Sequence, residues 1–336
     1  MKSVTVVIPN WNGMQYLKTC LDSLRNQDTD DFETLVVDNH SEDGSVEFIR
    51  ANYPEVRLIE HAENLGFTGG VNAGIEAAKS PFVLLLNNDT ECDPGFVRAL
   101  ERAILKDPEI FSVSSRMIRF KERELLDDAG DLFTVLGYQA QRGTGQSVRD
   151  PKYLKPKRVF SACAGAAIYR KSVFQKMGAF DPDHFAYLED VDVGYRAMIY
   201  GYKNVYEPSA VVYHVGSGAS GALQYSEFKV RLSARNSRYL LYKNMPLFFR
   251  ALNALPLALG RTVKRRFFKG LGFEEAYRAG EAEAKARRKD LKIVPLTFRR
   301  FFRHFAIEGR EIAYTFTYVF EYLKRRKLKK SAPDGT

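Results

Sequence analysis

The chain has 336 residues, of which 45% are hydrophobic and 27% charged, a composition that supports a folded core and excludes wholesale disorder. The net charge of +10 is uneven: residues 1–221 contain 24 Lys and Arg against 31 Asp and Glu, whereas residues 222–336 contain 27 against 10. An acidic part followed by a basic part excludes a uniformly basic nucleic-acid-binding protein and predicts two regions with different partners.

Cysteine usage and hydropathy indicate the compartment. Cys20, Cys92 and Cys163 are widely spaced and form neither a disulfide framework nor a CxxC pattern, which is typical of a reducing cytoplasm. The apolar run Val4–Ile8 is too short for a signal peptide, and the longest charge-free stretch, residues 208–226, is too polar to span a bilayer. We therefore expect a cytoplasmic protein.

The first 105 residues alternate between strand-like and helix-like patterns. Short apolar runs predict buried parallel strands over Val4–Ile8, Thr34–Val37, Val56–Ile59 and Phe82–Leu86. Apolar residues at helical spacing predict helices over Leu17–Leu24, Val46–Tyr53, Val71–Ala78 and Val97–Ile104, with Asp93 as the N-cap of the last. This alternation predicts an open α/β sheet flanked by helices.

Periodicity weakens over residues 106–158, where we predict a strand pair and a mobile loop near residues 143–156. The following segments are predicted as strand Val159–Tyr169, helix Lys171–Met177, helix Val191–Tyr200 and strand Val205–His214. Beyond Ala222 the pattern is helical only.

Clusters of Asn, Asp and Gly follow the four predicted parallel strands. They lie at Pro9–Gly13, Asp38–Ser45, Asn64–Asn72 and Asn87–Thr90. Ligands of open α/β sheets bind outside the carboxyl ends of the strands, so these clusters predict a binding site there. The run at 64–70 lacks the spacing of a dinucleotide fingerprint.

Five motifs occur in an order that resembles the inverting family 2 glycosyltransferases of the GT-A fold: Asp38, Asn87–Asp89, Cys163–Ala167, Tyr187–Asp192 and His214. The similarity covers about residues 3–220 and is closest to the bacterial rhamnosyltransferase-like branch. It implies a GT-A catalytic domain at residues 1–221, with a Rossmann-like, mostly parallel open sheet. Residues 222–336 then form a basic helical extension.

The resemblance implies that Asp38 binds the pyrimidine of a sugar nucleotide. A carboxylate at a strand end can accept hydrogen bonds from a base or a ribose hydroxyl, although an Asp there can also cap its own loop. The single tryptophan, Trp11, could line the base pocket or belong to the core. We expect the remaining contacts to the donor nucleotide from Pro9, Asn10, Asn12, Asn64, Gly69, Asn72 and Asn88.

The segment Asn87–Asp89 stands where the family has a DxD-type metal motif, with Asn87 replacing the first Asp. The resemblance implies that Asp89 and His214 bind Mg²⁺ or Mn²⁺, which would neutralise the diphosphate of the donor. Helix or loop capping by Asp89 and a structural role for His214 are the alternatives. The Gly and Ser residues at 216–218 are a candidate lid.

The Glu189–Asp190 pair supplies candidate catalytic carboxylates. An inverting transfer needs a base for the acceptor hydroxyl, and the resemblance assigns that role to Asp190, with Glu189 positioning it or contacting the acceptor. Asp192 could position the base, contact the acceptor or favour the helix start. Gly165 and Ala166 are expected near the donor sugar, although tight sheet packing explains small residues equally well.

The basic extension contains apolar stripes at helical spacing, at Leu247–Leu259, Phe298–Phe305 and Ile312–Leu323, and ends in a basic run at 324–330. Aromatic and basic faces on one helix suit an anionic membrane interface, where each Lys or Arg contributes about 1 kcal/mol. We predict peripheral attachment to the inner face of the cell membrane. The alternative is that the stripes pack on the catalytic domain.

The sequence therefore predicts a metal-dependent, inverting glycosyltransferase. It would move a sugar, with dTDP-rhamnose as one candidate donor, to a lipid-linked glycan acceptor in cell-surface polysaccharide synthesis. One alternative is a sugar nucleotidyltransferase, which the absence of a basic residue in Asn10–Gly13 disfavours. Others are a non-enzymatic membrane-surface scaffold with a degenerate transferase domain and RNA binding by the basic region, although we expect no nucleic-acid partner.

Overall fold

The computed structural model describes residues 2–216 and 225–331, with side chains described through residue 323. Within them, twelve strands occur: β1 (Val4–Asn10), β2 (Phe32–Asp38), β3 (Arg57–Glu60), β4 (Phe82–Leu86), β5 (Thr90–Cys92), β6 (Ile110–Arg119), β7 (Leu126–Asp128), β8 (Asp131–Phe133), β9 (Gln139–Gln141), β10 (Lys157–Val159), β11 (Ala166–Arg170) and β12 (Lys203–His214).

The helices of the same residues are α1 (Met14–Arg25), α2 (Ser45–Asn52), α3 (Gly66–Ala77), α4 (Phe96–Leu105), α5 (Lys171–Met177), α6 (Glu189–Tyr200), α7 (Glu227–Asn244), α8 (Leu247–Leu252), α9 (Ala254–Gly270), α10 (Glu274–Ala286) and α11 (Phe298–Ser331). Single 3-10 turns lie at Pro151–Tyr153, Pro182–His184 and Arg287–Lys289.

Ten strands form one sheet in the order β10-β12-β6-β11-β4-β1-β2-β3, with β5 on β12 and β7 on β6, while β8 and β9 form a hairpin. Strands β1 to β4 are mutually parallel, as predicted, and β11 runs antiparallel between β4 and β6. The parallel arrangement brings the carboxyl ends of β1 to β4 to one edge of the sheet.

Alternating residues of the buried strands face two separate cores. On β1, Val4, Val6 and Ile8 pack with apolar residues of α1, α2 and α4, whereas Val7 packs with those of α3, α5 and α6. Both faces of the sheet are therefore covered by helices, which explains why the parallel strands are continuous apolar runs in the sequence.

Two local predictions were wrong. Val159–Tyr169 is not one strand, because β10 pairs with β12 whereas β11 pairs with β4 and β6, and a turn at 163–166 separates them. Asp93 is not the N-cap of α4. The cap is Gly95, and Asp93 accepts the Phe96 amide through its main-chain oxygen at 3.0 Å.

Residues 106–158 hold more β structure than a single strand pair. The ten-residue strand β6 lies in the central sheet, and the segment predicted as a loop near 143–156 contains a 3-10 turn. In that turn Tyr153 is buried, and its carbonyl accepts a hydrogen bond from the hydroxyl of Tyr206 at 2.9 Å.

The C-terminal helices pack directly on the α/β part of the chain. Leu240 and Leu241 of α7 join Val191 and Tyr195 of α6 in one core cluster, and α10 packs along α7. The domain boundary predicted at residue 221 and most of the candidate lid lie in 217–224, outside the described residues.

Cys20, Cys92 and Cys163 are all free, as the absence of a disulfide pattern predicts. Across residues 2–216 and 225–331, no helix combines the length and the hydropathy that crossing a bilayer requires.

Candidate active site

A buried hydrogen-bond network joins the ends of three parallel strands. The side-chain amide of Asn10, the last residue of β1, donates to Asp38 at the end of β2 at 2.8 Å. The amide of Asn88, just after β4, donates to the Asn10 side-chain oxygen at 2.7 Å. The sheet order places these three residues at the ends of adjacent strands, so the structure brings together residues predicted to bind the donor that are up to 78 positions apart.

Asp38 is held by its own loop. Its Oδ1 accepts the Ser41 amide at 2.8 Å, and its Oδ2 accepts the Ser41 hydroxyl at 2.7 Å in addition to Asn10. The loop-capping alternative is therefore realised. Contact between Asp38 and a nucleotide base remains a prediction.

The remaining donor residues near β1 and β2 shape the loops. Pro9 lies in β1 opposite Val37, and Asn12, at φ 47°, accepts the Glu42 amide at 2.9 Å through its side chain. Trp11 is 43% exposed, so it is not a core residue. The loops that follow β1 and β2 are thus joined by a hydrogen bond at the edge of the sheet. The indole of Trp11, in the first of these loops, is exposed.

The residues predicted to bind the donor in α3 and just before it serve packing in this structure. Asn64 accepts the Gly66 amide at 2.8 Å, and a Cβ on Gly69 would lie 2.2 Å from the Leu65 Cβ. Asn72 donates to the Phe180 carbonyl at 2.7 Å and accepts the Phe180 amide at 3.0 Å. Both ends of the Asn72 amide are occupied by main chain, so we assign it an anchoring role instead of donor binding.

A histidine bridges two carboxylates beside this network. His214, the last residue of β12, lies with Nε2 3.3 Å from Asp89 Oδ1 and Nδ1 2.7 Å from Asp127 Oδ2. Burial would lower the pKa of His214, but its hydrogen bonds and charge interactions with Asp127 and Asp89 outweigh it and raise that pKa to about 10. Sequence reasoning missed Asp127, for which the signal was three aspartates within residues 127–131.

The Asp89–His214 pair fits the metal role that the resemblance implies. Nε2 of His214 faces the Asp89 carboxylate, and Asp127 fixes the other ring nitrogen, which is how carboxylates commonly orient a metal-binding imidazole. Among the described residues no group of three or more His, Cys, Asp or Glu is arranged to hold a cation. Two protein ligands suit Mg²⁺ or Mn²⁺ completed by diphosphate and water oxygens.

Glu189 and Asp190 form the first turn of α6. Asp190 is partly exposed, and it accepts the Val191 amide at 2.7 Å and the Ala164 amide at 3.4 Å. Burial raises the pKa of Asp190 to about 6, against the opposing effect of these amides. Glu189 is buried, and its Oε2 has no hydrogen-bond partner among the described residues. Burial and the Asp190 charge raise the Glu189 pKa well above its usual value.

Two further buried carboxyls influence this pair. Asp131 accepts hydrogen bonds from Gln139 at 2.7 Å and Ser161 at 3.0 Å, and Asp128 accepts the Gly130 amide at 2.6 Å. Burial and charge repulsion that includes Asp190 raise the pKa of Asp128 to about 7 and that of Asp131 well above its usual value. Asp190 thus lies near two carboxyl groups whose raised pKa values favour their protonated forms.

The backbone leading into α6 is strained. Phe185, Tyr187 and Leu188 have φ of 61°, 70° and 64°, the left-handed region that side chains disfavour. Each such residue costs about 1–3 kcal/mol and persists only where surrounding contacts enforce it. Strain immediately before Glu189 indicates that the start of α6 is held in one position.

The three residues predicted near the sugar or acceptor differ in access. Asp192 is fully buried and bound to Arg196 at 2.9 Å, Lys243 at 3.1 Å and Asn244 at 2.7 Å, so its carboxylate is not available to an acceptor.

Ala166 is also fully buried, because it lies within β11 between β4 and β6. Tight packing in the sheet therefore explains the small side chain at this position. Gly165 lies beside the metal motif, because its carbonyl accepts the Asn87 amide at 2.8 Å and a Cβ there would meet the Asn87 side chain at 3.1 Å.

Comparison with known proteins identifies the family. Residues 5–178, more than half of the chain, match the model of glycosyl transferase family 2. The chain belongs to glycosyl transferase family 2. Family membership makes this glycosyltransferase an enzyme of the transferase class and removes the sugar nucleotidyltransferase alternative.

Curated relatives support the predicted branch. The N-acetylglucosaminyl-diphospho-decaprenol L-rhamnosyltransferase of Mycobacterium tuberculosis is 29% identical over 237 residues, which cover 64% of this chain and 77% of the relative. The pre-mycofactocin glycosyltransferase of the same organism is 28% identical over 219 residues, or 63% of this chain and 43% of that protein.

Solved structures confirm the GT-A prediction at the level of fold. GalNAc-T7 with UDP, GalNAc and Mn²⁺ superposes with a TM-score of 0.59 at 15% identity, covering 89% of this chain and 59% of that one. The mannosyltransferase PcManGT of Pyrobaculum calidifontis, in complex with GDP-Man and Mn²⁺, gives 0.51 at 17% identity, covering 99% and 88%. The present chain therefore spans less than two thirds of the length of GalNAc-T7.

Proposed function

We propose that this glycosyltransferase transfers a sugar with inversion from a nucleotide donor to a lipid-linked glycan, with Asp190 as the base and a divalent cation at Asp89 and His214. The observation that carries the proposal is the position of Asp190 at the start of α6, bound to Ala164. Ala164 adjoins Gly165, which pairs with Asn87 of the motif that contains Asp89.

The donor would bind along the carboxyl edge of β1, β2 and β4. Asp38, Asn10 and Asn88 present a fixed polar network there for the nucleoside, and the Asp89–His214 pair lies beyond it for the diphosphate. A divalent cation held by that pair would neutralise the charge that develops on the departing nucleoside diphosphate. Asn87 keeps the loop in place, since its carbonyl accepts the Thr90 hydroxyl at 2.7 Å.

The proposed transfer needs one base on the side of the anomeric carbon opposite the leaving group. Asp190 takes the proton of the acceptor hydroxyl while that oxygen attacks the anomeric carbon from the face opposite the diphosphate. The bond to the diphosphate oxygen breaks in the same displacement, and the nucleoside diphosphate leaves with the electron pair. Inversion at the anomeric carbon results. Glu189 is buried beside Asp190, and burial together with the Asp190 charge raises the pKa of Glu189 well above its usual value, which favours a neutral Glu189 next to the base.

The names of the relatives supply the substrate classes. The M. tuberculosis relative is named for transfer of L-rhamnose to N-acetylglucosaminyl-diphospho-decaprenol, and both GalNAc-T7 and PcManGT were solved with Mn²⁺. We accordingly propose dTDP-rhamnose as the donor, a lipid diphosphate-linked glycan as the acceptor, and Mg²⁺ or Mn²⁺ as the cation. The product would serve cell-surface polysaccharide synthesis.

A screen of nucleotide sugars tests the donor and the cation together. Bound ligand stabilises the folded state by RT ln(1 + [L]/Kd), about 2.7 kcal/mol at 100 times Kd, so the melting temperature should rise with the true donor. We expect the rise with dTDP-rhamnose and Mn²⁺ and a smaller one without Mn²⁺, followed by transfer of labelled sugar to a lipid diphosphate-linked glycan. Failure of every nucleotide sugar to bind would refute the proposal.

Exposed apolar residues on the C-terminal helices support docking at a membrane. Leu255 is 84% exposed, Phe298 82% and Phe316 73%. We define the exposed apolar face as Leu247, Phe248, Leu252, Leu255 and Leu259 of α8 and α9 with Phe298, Phe302, Phe305, Phe316 and Phe320 of α11. Its two parts meet where the Phe248 ring lies 6.3 Å from the Phe305 ring.

The same helices also pack on the catalytic part of the chain. Phe249, Ile307 and Tyr314 are buried in the core cluster that contains Val191 and Tyr195 of α6. The packing alternative is thus correct for one side of α8 and α11, and it leaves the opposite apolar side exposed.

Helix α9, which carries part of the exposed apolar face, also carries basic residues. A cleft of about 450 Å³ between α9 and α10 is lined by Arg261, Arg265, Arg266 and Lys269, with Glu274 and Glu281 opposite. Exposed apolar and basic side chains on the same helix match an anionic bilayer, whose acyl region takes the former and whose phosphates take the latter. We therefore place the enzyme at the inner face of the cell membrane, near its lipid-linked acceptor.

Vesicle co-sedimentation tests this docking. We expect the protein to bind vesicles that contain phosphatidylglycerol and to bind pure phosphatidylcholine vesicles less, with the difference reduced by salt. Equal binding to both, or binding to an RNA oligonucleotide with no binding to vesicles, would contradict a membrane partner.

A further inference from the structure

Asn236, in the middle of α7, binds the strained segment before the catalytic pair. It is fully buried, and its side-chain nitrogen lies 2.9 Å from the carbonyl oxygen of His184, 2.8 Å from that of Ala186 and 2.8 Å from that of Tyr187. One amide group thus converges on three main-chain acceptors of a four-residue stretch.

Arg235 reinforces this contact from the same turn of α7. Its Nη2 donates to the carbonyl oxygens of Asp183 and His184, both at 2.9 Å, and its Nη1 contacts Glu283 of α10 at 2.8 Å. Its Nε donates to the Asn236 side-chain oxygen at 3.0 Å. Because a guanidinium only donates, this contact fixes the amide of Asn236 with its nitrogen toward the carbonyls.

The segment needs these donors because of its conformation. Positive φ at Phe185, Tyr187 and Leu188 interrupts regular hydrogen bonding, and buried carbonyls without partners are costly. Leu188 is the only residue between the clamped Tyr187 carbonyl and Glu189, so a shift of the segment moves the start of α6.

We propose that Arg235 and Asn236 are positioning residues that hold Asp190 in its reactive place through the backbone of residues 183–188. The inference rests on the proposed function only in naming Asp190 as the base. It also gives the C-terminal region a part in catalysis, because α7 holds the segment that precedes the active-site helix α6. Glu283 of α10 in turn holds Arg235 of α7.

Asn236→Asp is the test variant, because it keeps the side-chain size and replaces the donating nitrogen with an oxygen that repels the carbonyls. Arg238→Gln is the matched control. Arg238 lies on the same helix, and its guanidinium pairs with Glu281 of α10 at 2.8 Å instead of with residues 183–188.

Two readouts separate positioning from general stability. Hydrogen exchange of the amides in residues 183–192, measured without donor, should accelerate about tenfold in Asn236→Asp and stay unchanged in Arg238→Gln. With the preferred nucleotide sugar, kcat of Asn236→Asp should fall about 100-fold while the donor KM changes less than about threefold.

Unchanged exchange in Asn236→Asp, or a kcat loss no larger than that of Arg238→Gln, would overturn the inference. If Asn236→Asp does not fold, Arg235→Lys replaces it, since lysine keeps the charge beside Glu283 and loses the paired donation to two carbonyls. The same two outcomes then decide. Absence of sugar transfer by the wild type would refute the proposed function. The hydrogen-exchange rates test the positioning role of Arg235 and Asn236 independently of that outcome.

Discussion

Replacement of Asp190 by Asn removes a proton acceptor and leaves the shape of the side chain intact. The retained oxygen can still accept the Val191 amide, now at 2.7 Å, so the start of α6 should keep its structure. General-base catalysis contributes about 10²–10⁴-fold in rate, equivalent to about 3–5 kcal/mol of transition-state stabilisation. We expect kcat to fall by that factor while the Kd for the nucleotide sugar is preserved.

The wild-type pH profile gives the sign of the effect. Burial raises the pKa of Asp190 to about 6, and the base works only when it is deprotonated. Below pH 6 the ionised fraction falls about tenfold per pH unit, so kcat should decline on the acid side and level off above about pH 7. The residual activity of Asp190→Asn should lack this acid-side decline.

The assay is single-turnover transfer of labelled sugar at saturating donor between pH 5 and pH 8. Asp107→Asn is the control variant, because Asp107 precedes β6 at the far end of the sheet and pairs with Lys203 at 2.7 Å. Its rate should match the wild type. If Asp190→Asn turns over within about threefold of the wild type with donor binding intact, the base is another group.

Four further changes have defined outcomes. Asp89→Asn should abolish the extra thermal stabilisation that Mn²⁺ gives with a nucleoside diphosphate, and retention of that increment would remove Asp89 from the cation site. Asp127→Asn should weaken the apparent Mn²⁺ affinity about 10–100-fold in a titration, because His214 loses its orienting carboxylate; an unchanged affinity would contradict this role. The double variant Phe298→Ser, Phe316→Ser should lower the partition coefficient of the protein onto phosphatidylglycerol vesicles at least about 100-fold. Each exposed ring can bury about 150 Å² of apolar surface in the bilayer, which contributes about 25 cal/mol per Å². An unchanged partition coefficient would exclude the exposed apolar face as the membrane contact. Lys243→Met should lower the free energy of unfolding by about 3–5 kcal/mol in urea, because the buried Asp192 and the partly buried Asp181 lose their shared cation, and a loss below about 1 kcal/mol would contradict the pairing.

The sequence predicted the parallel strands and the grouping of polar residues at their carboxyl edge, for a physical reason. Strands β1, β2 and β4 are buried on both faces, so they are continuous apolar runs, and parallel order brings their ends to one edge. The polar residues that follow them, Asn10, Asp38 and Asn88, could then be grouped without knowledge of their contacts. The resemblance to family 2 supplied the roles proposed for Asp89 and Asp190.

The parts that the sequence did not predict depend on distant partners. Asp127 lies in a segment of weak periodicity and gains its role only by contact with His214, 87 residues away. Asn72 has the composition of a strand-end ligand, yet the Phe180 main chain occupies its amide.

Two other features were equally invisible in the sequence. Nothing in the residue types marks the positive φ of Tyr187 and Leu188, and nothing in the α7 sequence marks Asn236 as the donor to their segment, about 50 residues away. Such contacts are properties of tertiary packing.

The anomeric configuration of the transferred sugar tests the central claim most directly. Proton NMR of the first product formed from a nucleotide sugar of known configuration measures it before any later equilibration. A single displacement with Asp190 as base predicts inversion, with the product signal growing about 10²–10⁴-fold more slowly in Asp190→Asn. Retained configuration in the wild-type product would contradict the mechanism, because it requires a second displacement that one base at the start of α6 does not provide.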